Sequence, residues 1–308
     1  MSAAAAVLSP GMQTPHDLVR DLKHLPSAPK VLPRLKELLT DSNSSMFEIV
    51  ALVRLDPAIA ARVLQMGNSA YFSKGTRCFT VEEAVNRVGY AQVYDLVAYA
   101  VASQVLVRPL EVYGIEADDL WKMSVACALA AETLAVVTGQ DRDVGYTVGL
   151  LHSLGMVVID EWALRQQSHL VLPSQGFPRE ASEAERAALG FTQADAGAAL
   201  LREWDFPYVM CEPVRWQYSP RASAIHLRMA CLLQCAKWLR TVVCAGANAE
   251  RPPLPHDSVL QAVPLPAGKL PALVGEVRRR LGEVSSLLEP TRNARVWVPG
   301  FTAPPSFT

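Results

Sequence analysis

From residue 17 to about residue 245 the chain is punctuated as a run of helices, and such a chain can bury its apolar faces only by packing helix on helix. Ser45 followed by Glu48 is a capping box, in which hydroxyl and carboxylate satisfy backbone N–H groups that a first helical turn leaves free. That helix is expected to end near Arg54. Asp56 caps the next one, with Pro57 at the first helical position, where a missing N–H is harmless. Within it Ile59, Val63 and Met66 recur at helical period, with Ala60 and Leu64 beside them. Thr80 with Glu83 repeats the box, and Gly89 supplies the stop. Further helices are expected over about 119–137, 143–163 and 182–189, the last opened by Ser182 and Glu185 and closed by Gly190. Thr192 to Trp204 and a longer stretch from Ser223 to Val243 complete the series. Alternating β-branched residues, which a sheet would need, are almost missing, so the expected fold class is all-α.

Leu110 to Asp118 is polar enough to connect two helical halves, about 18–115 and 116–245, of one domain spanning 18–245. Residues 1–17 read as a flexible N-terminal segment. Pro252, Pro253, Pro255, Pro264 and Pro266 mark a linker over 246–266. Residues 267–308 then hold a last helix, Leu270 to Leu288, and a tail without helical period from Pro290 onward. Arg278, Arg279 and Arg280 on that helix read as a solvated face.

The composition is globular, with 50% hydrophobic and 19% charged residues. A net charge of -1 provides no basic footprint, so nucleic acid is not an expected partner. The apolar opening Met1 to Leu8 lacks a positive start and is soon broken by Pro10 and Pro15, which argues against a secretory signal. No uninterrupted run approaches the roughly 18 apolar residues of a bilayer span, so a cytoplasmic protein without a membrane partner is expected. Six cysteines without a CxxC pair suit reduced core thiols. Cys231 and Cys235, four apart on one helix face, favour packing over metal binding. Trp204, Trp216 and Trp238 read as core or groove aromatics.

An ordered series of motifs goes further. Leu25-Pro26-Ser27-Ala28-Pro29 is followed by Asp56-Pro57-Ala58-Ile59-Ala60-Ala61-Arg62-Val63-Leu64-Gln65-Met66-Gly67-Asn68-Ser69-Ala70-Tyr71-Phe72, then by Thr80 to Gly89. Gly149-Leu150-Leu151-His152-Ser153-Leu154-Gly155 and Gly197 to Pro207 follow. In this order they resemble the HDOD family, a degenerate branch of the HD phosphohydrolase superfamily, over roughly residues 18–245. The resemblance implies a multi-helical HD-like bundle with an N-terminal helical subdomain.

Active members of the wider superfamily use a His, a His-Asp pair and a later Asp to hold metal ions that activate water against a phosphoester. Carried onto this chain, the first histidine position falls at Met123 and the His-Asp pair at His152-Ser153. Gln193 stands where many relatives carry another histidine, Trp216-Gln217 where a His-His pair is often found, and Cys231 at the final aspartate. Only His152 remains. Without carboxylates a hard divalent cation has little reason to shed its water, so no cofactor or metal is expected.

Each residue also has a plainer role. His152 can be a hydrogen-bonded core histidine, Asp56 and Pro57 a helix start, and Asn68 and Ser69 a helix exit. As the alternative, Asn68, Ser69 and Phe72 could shape a partner surface. The resemblance implies a non-catalytic signalling module that couples an input, a nucleotide second messenger or a sensor, to a regulatory protein partner. The competing reading is a divergent metal-dependent phosphohydrolase acting on nucleotides or cyclic dinucleotides.

Overall fold

The helix starts at Ser45, Asp56, Thr80 and Thr192 carry the caps that the residue order announces. In the computed structural model, which describes residues 14–20, 31, 38, 45–69, 71–73, 75–89, 92–93, 109–173, 178–245, 252–265 and 267–288, no strand occurs among the described residues. The only pairing outside helices there is a single antiparallel bridge between Leu110 and Ile115. The Leu25 to Pro29 motif, Ala70, the first 13 residues and the tail from Pro290 lie outside the described residues.

The described helices are α1 (Pro15–Arg20), α2 (Met46–Arg54), α3 (Pro57–Asn68), α4 (Val81–Val88), α5 (Ala117–Thr138), α6 (Arg142–Leu151) and α7 (Leu154–Arg165). They continue with α8 (Pro178–Leu189), α9 (Gln193–Glu203), α10 (Tyr208–Arg215), α11 (Leu227–Cys244), α12 (Asp257–Ala262) and α13 (Leu270–Leu288). Capping boxes at Ser45 and Thr80 form with Glu48 and Glu83, and Asp56 accepts from Ala58 N and Ile59 N at 2.9 and 3.0 Å.

Several boundaries differ from the residue pattern. The helix expected over 143–163 is two helices, α6 and α7, broken at His152-Ser153, where Ser153 leaves helical geometry (φ -100, ψ 0). α8 starts at Pro178, ahead of Ser182, and α11 at Leu227, because Ser223 closes a 3-10 turn and caps His226 N. α10 carries an internal proline, Pro213, which hides it from propensity reasoning. The proline-rich stretch holds the short α12, packed on α11.

α5 is the central element, with α6, α11 and α13 packed around it, and α9 bridges α7, α10 and α1. By length and composition α5 and the nearly continuous Arg142–Arg165 could cross a membrane, which the absence of a long uninterrupted apolar run does not reveal. Their apolar windows are 67% and 83% buried in the protein, the behaviour of core helices. The N-terminal α2–α4 unit is tied to this core by Trp121 Nε1, which donates to Leu55 O at 2.9 Å, and by Tyr146 OH, which donates to Arg54 O at 3.0 Å.

The arginine triplet of α13 is only partly a solvated face. Arg279 pairs outward with Glu276 and Glu283, whereas Arg280 turns in to the buried Glu132 and Thr133, and Arg278 donates to Val242 O. Leu273, Val277, Leu281 and Val284 of α13 join the same apolar core as α5.

Candidate functional site

Two glycines bring the site together. A Cβ on Gly149 would stand 2.7 Å from Cys127 O, so α6 can lie against the α5 backbone only with glycine there. A Cβ on Gly155 would fall 1.8 Å from Gln193 O, so the start of α7 sits directly on the start of α9. The turn between them therefore delivers His152 and Ser153 beside Gln193. α9 is held at that point by Thr192 and Asp195, which cap each other's N–H groups at 2.9 and 3.3 Å.

His152 is buried and both ring nitrogens are engaged. Nδ1 lies 2.7 Å from Gly149 O, a pure acceptor, so Nδ1 carries the proton, and Nε2 accepts from Arg240 Nη1 at 3.0 Å. Burial, then the charges of Arg240 and Lys237, hold the imidazole well below its usual range, so it stays neutral. Ser153 Oγ meets Ser124 Oγ at 2.8 Å, one hydroxyl donating to the other.

Gln217, fully buried, donates from Nε2 to His152 O at 3.0 Å and to Val214 O at 2.9 Å, and its Oε1 accepts from Lys237 Nζ at 2.6 Å. The Lys237 ammonium also lies 4.2 Å above the Tyr218 ring, whose hydroxyl accepts from Gln193 Nε2 at 3.1 Å. Glu185 closes the network, accepting from Gln193 N at 2.8 Å and from Tyr113 OH at 3.2 Å. Burial and the neighbouring Arg240 push Lys237 down to about 7, and burial pushes Glu185 up to about 7. Gln193 Oε1 is buried without a hydrogen-bond partner among the described residues.

The fold thus gathers four of the residues singled out by sequence: His152, Ser153, Gln193 and Gln217. It leaves others apart. Met123 packs against the apolar core, and its neighbour Ser124 is the residue that meets Ser153. Trp216 donates to Glu212 at 2.8 Å under the Arg215 guanidinium, and Cys231 is a buried thiol raised by burial, with Arg221 the charge acting on it. Trp204 lies under Arg62, and Trp238 donates to Pro252 O at 3.2 Å. All six cysteines are free thiols.

Lys237, Arg240 and Tyr218 escaped the sequence reading, and Glu185 entered it only as a residue opening a helix. The usable signal was Lys237 and Arg240, two cations three residues apart in the largely apolar second half of α11.

Does this donor set fit the metal ions of the wider superfamily? It does not. The imidazole is doubly bonded, the carboxylate position is a hydroxyl, two amides replace histidines, and two cations face the cluster. Among the described residues no three His, Cys, Asp or Glu side chains converge.

The second group of residues is structural in geometry. Asn68 is buried and clamps the following loop, donating to Cys78 O at 3.3 Å and accepting from Cys78 N at 2.7 Å. Ser69 Oγ donates to Met66 O at 2.7 Å, and Phe72 packs partly on the core with Tyr71 edge-on at 4.7 Å. Tyr71, 84% exposed, is what that segment shows to solvent.

The sequence pattern of the HDOD domain matches residues 25–220. This chain belongs to the HDOD family. The HDOD match takes in Asp56, His152, Gln193 and Gln217 and ends before Lys237 and Arg240. An uncharacterized protein of Treponema pallidum (strain Nichols) is 28% identical over 207 residues, 66% of this chain and 39% of that protein's length. Among solved structures, the MmoQ response regulator of Methylococcus capsulatus str. Bath superposes with a TM-score of 0.65 at 19% identity, covering 82% of this chain and 98% of that one. A virulence factor of Campylobacter jejuni subsp. jejuni gives 0.61 at 17% identity, covering 86% and 91%. These likenesses establish the all-helical fold.

Proposed function

We propose that this HDOD protein is a non-catalytic, cytoplasmic regulatory module that couples an input signal to a partner protein. The observation that carries the reading is the placement of Lys237 and Arg240. Two cations facing His152 and Gln217 supply from within the charge that a metal centre takes from solution, and they repel a divalent ion. The family assignment, and the naming of one similarly folded protein as a response regulator, support a signalling role.

The competing phosphohydrolase reading has the surviving His152 in its favour, and turnover decides between the two. Purified protein supplied with Mn²⁺ or Mg²⁺ should release no product from nucleoside phosphates or cyclic dinucleotides above a protein-free control. Hydrolysis that is lost in His152→Ala would establish the enzyme instead.

A further inference from the structure

We infer that the Lys237–Arg240 cluster is an anion site that takes a phosphate group, the charge-reversed remnant of a cation site. The inference rests on the reading that no working metal centre is present. Arg240 spends one of its five N–H donors on His152, and Lys237 gives one contact to Gln217. Neither has a carboxylate within ion-pair distance among the described residues. The acids in reach of their field are Glu185, both of whose oxygens already accept bonds, and Asp119, which acts with Arg240 and Lys122 on the Cys244 thiol.

Two neighbouring cations without a counter-charge are costly in a protein interior. Burial, then the charge of Arg240, depresses the Lys237 ammonium. A phosphate dianion answers this arrangement: its oxygens accept the planar guanidinium fork and a point-charge ammonium, and its charge matches two cations. Arg240 is half-buried, and the exposed Lys122, which acts with it on the Cys244 thiol, adds positive charge nearby.

The test is calorimetric titration of the full chain with inorganic phosphate and, separately, with AMP, in buffers matched in ionic strength with chloride. Saturable one-to-one binding is expected, weakened about ten-fold or more by Arg240→Gln and unchanged by Arg279→Gln on the outer face of α13. Equal affinities identify the free anion as sufficient, and tighter AMP binding identifies a nucleotide. No saturable binding of either, or binding indifferent to Arg240→Gln, overturns the inference. Should that variant not fold, the wild-type Tm decides: a rise with phosphate beyond that in chloride supports the site, and equal values reject it. Hydrolysis of bound AMP would refute the non-catalytic reading while leaving the anion site standing, whereas absent binding without turnover would refute the anion site alone.

Discussion

Lys237 and Glu185 show how burial turns ordinary side chains into sensitive ones. Lys237 loses its proton near pH 7 when folded and near 10.5 when unfolded. Between these values the unfolded chain holds more protons, so stability climbs with pH. Urea unfolding of Lys237→Met should lose that climb, a slope of at most about 1.4 kcal/mol per pH unit for one proton. A variant as steep as wild type from pH 7 to 10 would show that the amine is not desolvated. Glu185 acts oppositely: its folded value near 7 lies above the unfolded 4.5, so it favours the folded state in that acid range and loses this as pH rises to 7. Neutral His152 opposes it, since the unfolded imidazole gains a proton below 6.5 that the buried ring refuses.

At the scale of elements, caps were legible and crossings were not. Ser45, Asp56, Thr80 and Thr192 act within four residues of themselves, and each starts its helix as the residue order indicates. The break at His152-Ser153 depends on Gly155 lying on Gln193, a contact between residues 38 apart that no local pattern encodes. For the same reason His152, Gln193 and Gln217 could be placed by motif, while Lys237 and Arg240 became visible only once α11 was docked. Gly155→Ala should part α7 from α9 and cost about 3 kcal/mol or more, the upper range for overpacking, read as a shift in the denaturant midpoint. A change within a few tenths of a kcal/mol would mean that the two helices do not meet so closely.

For the whole molecule, the terminal helix and the central one share a charge network. Glu132 of α5, with its side chain 4% exposed, is paired by Arg280 from α13 and by Arg142 from α6 at 2.7 Å. Burial raises its carboxyl, but the arginines outweigh that and hold it below its usual range. Arg280→Ala leaves the more exposed Arg142 to neutralise it, so unfolding should become easier by about 2 kcal/mol, whereas Arg279→Ala should have little effect. On the proposed non-catalytic reading, the side-chain cations Lys237 and Arg240 stand in for ions from solution at the site. Calorimetric titration of Mn²⁺ into chelator-treated wild-type protein tests this most directly. We expect no saturable binding; stoichiometric Mn²⁺ uptake abolished by His152→Ala would contradict it.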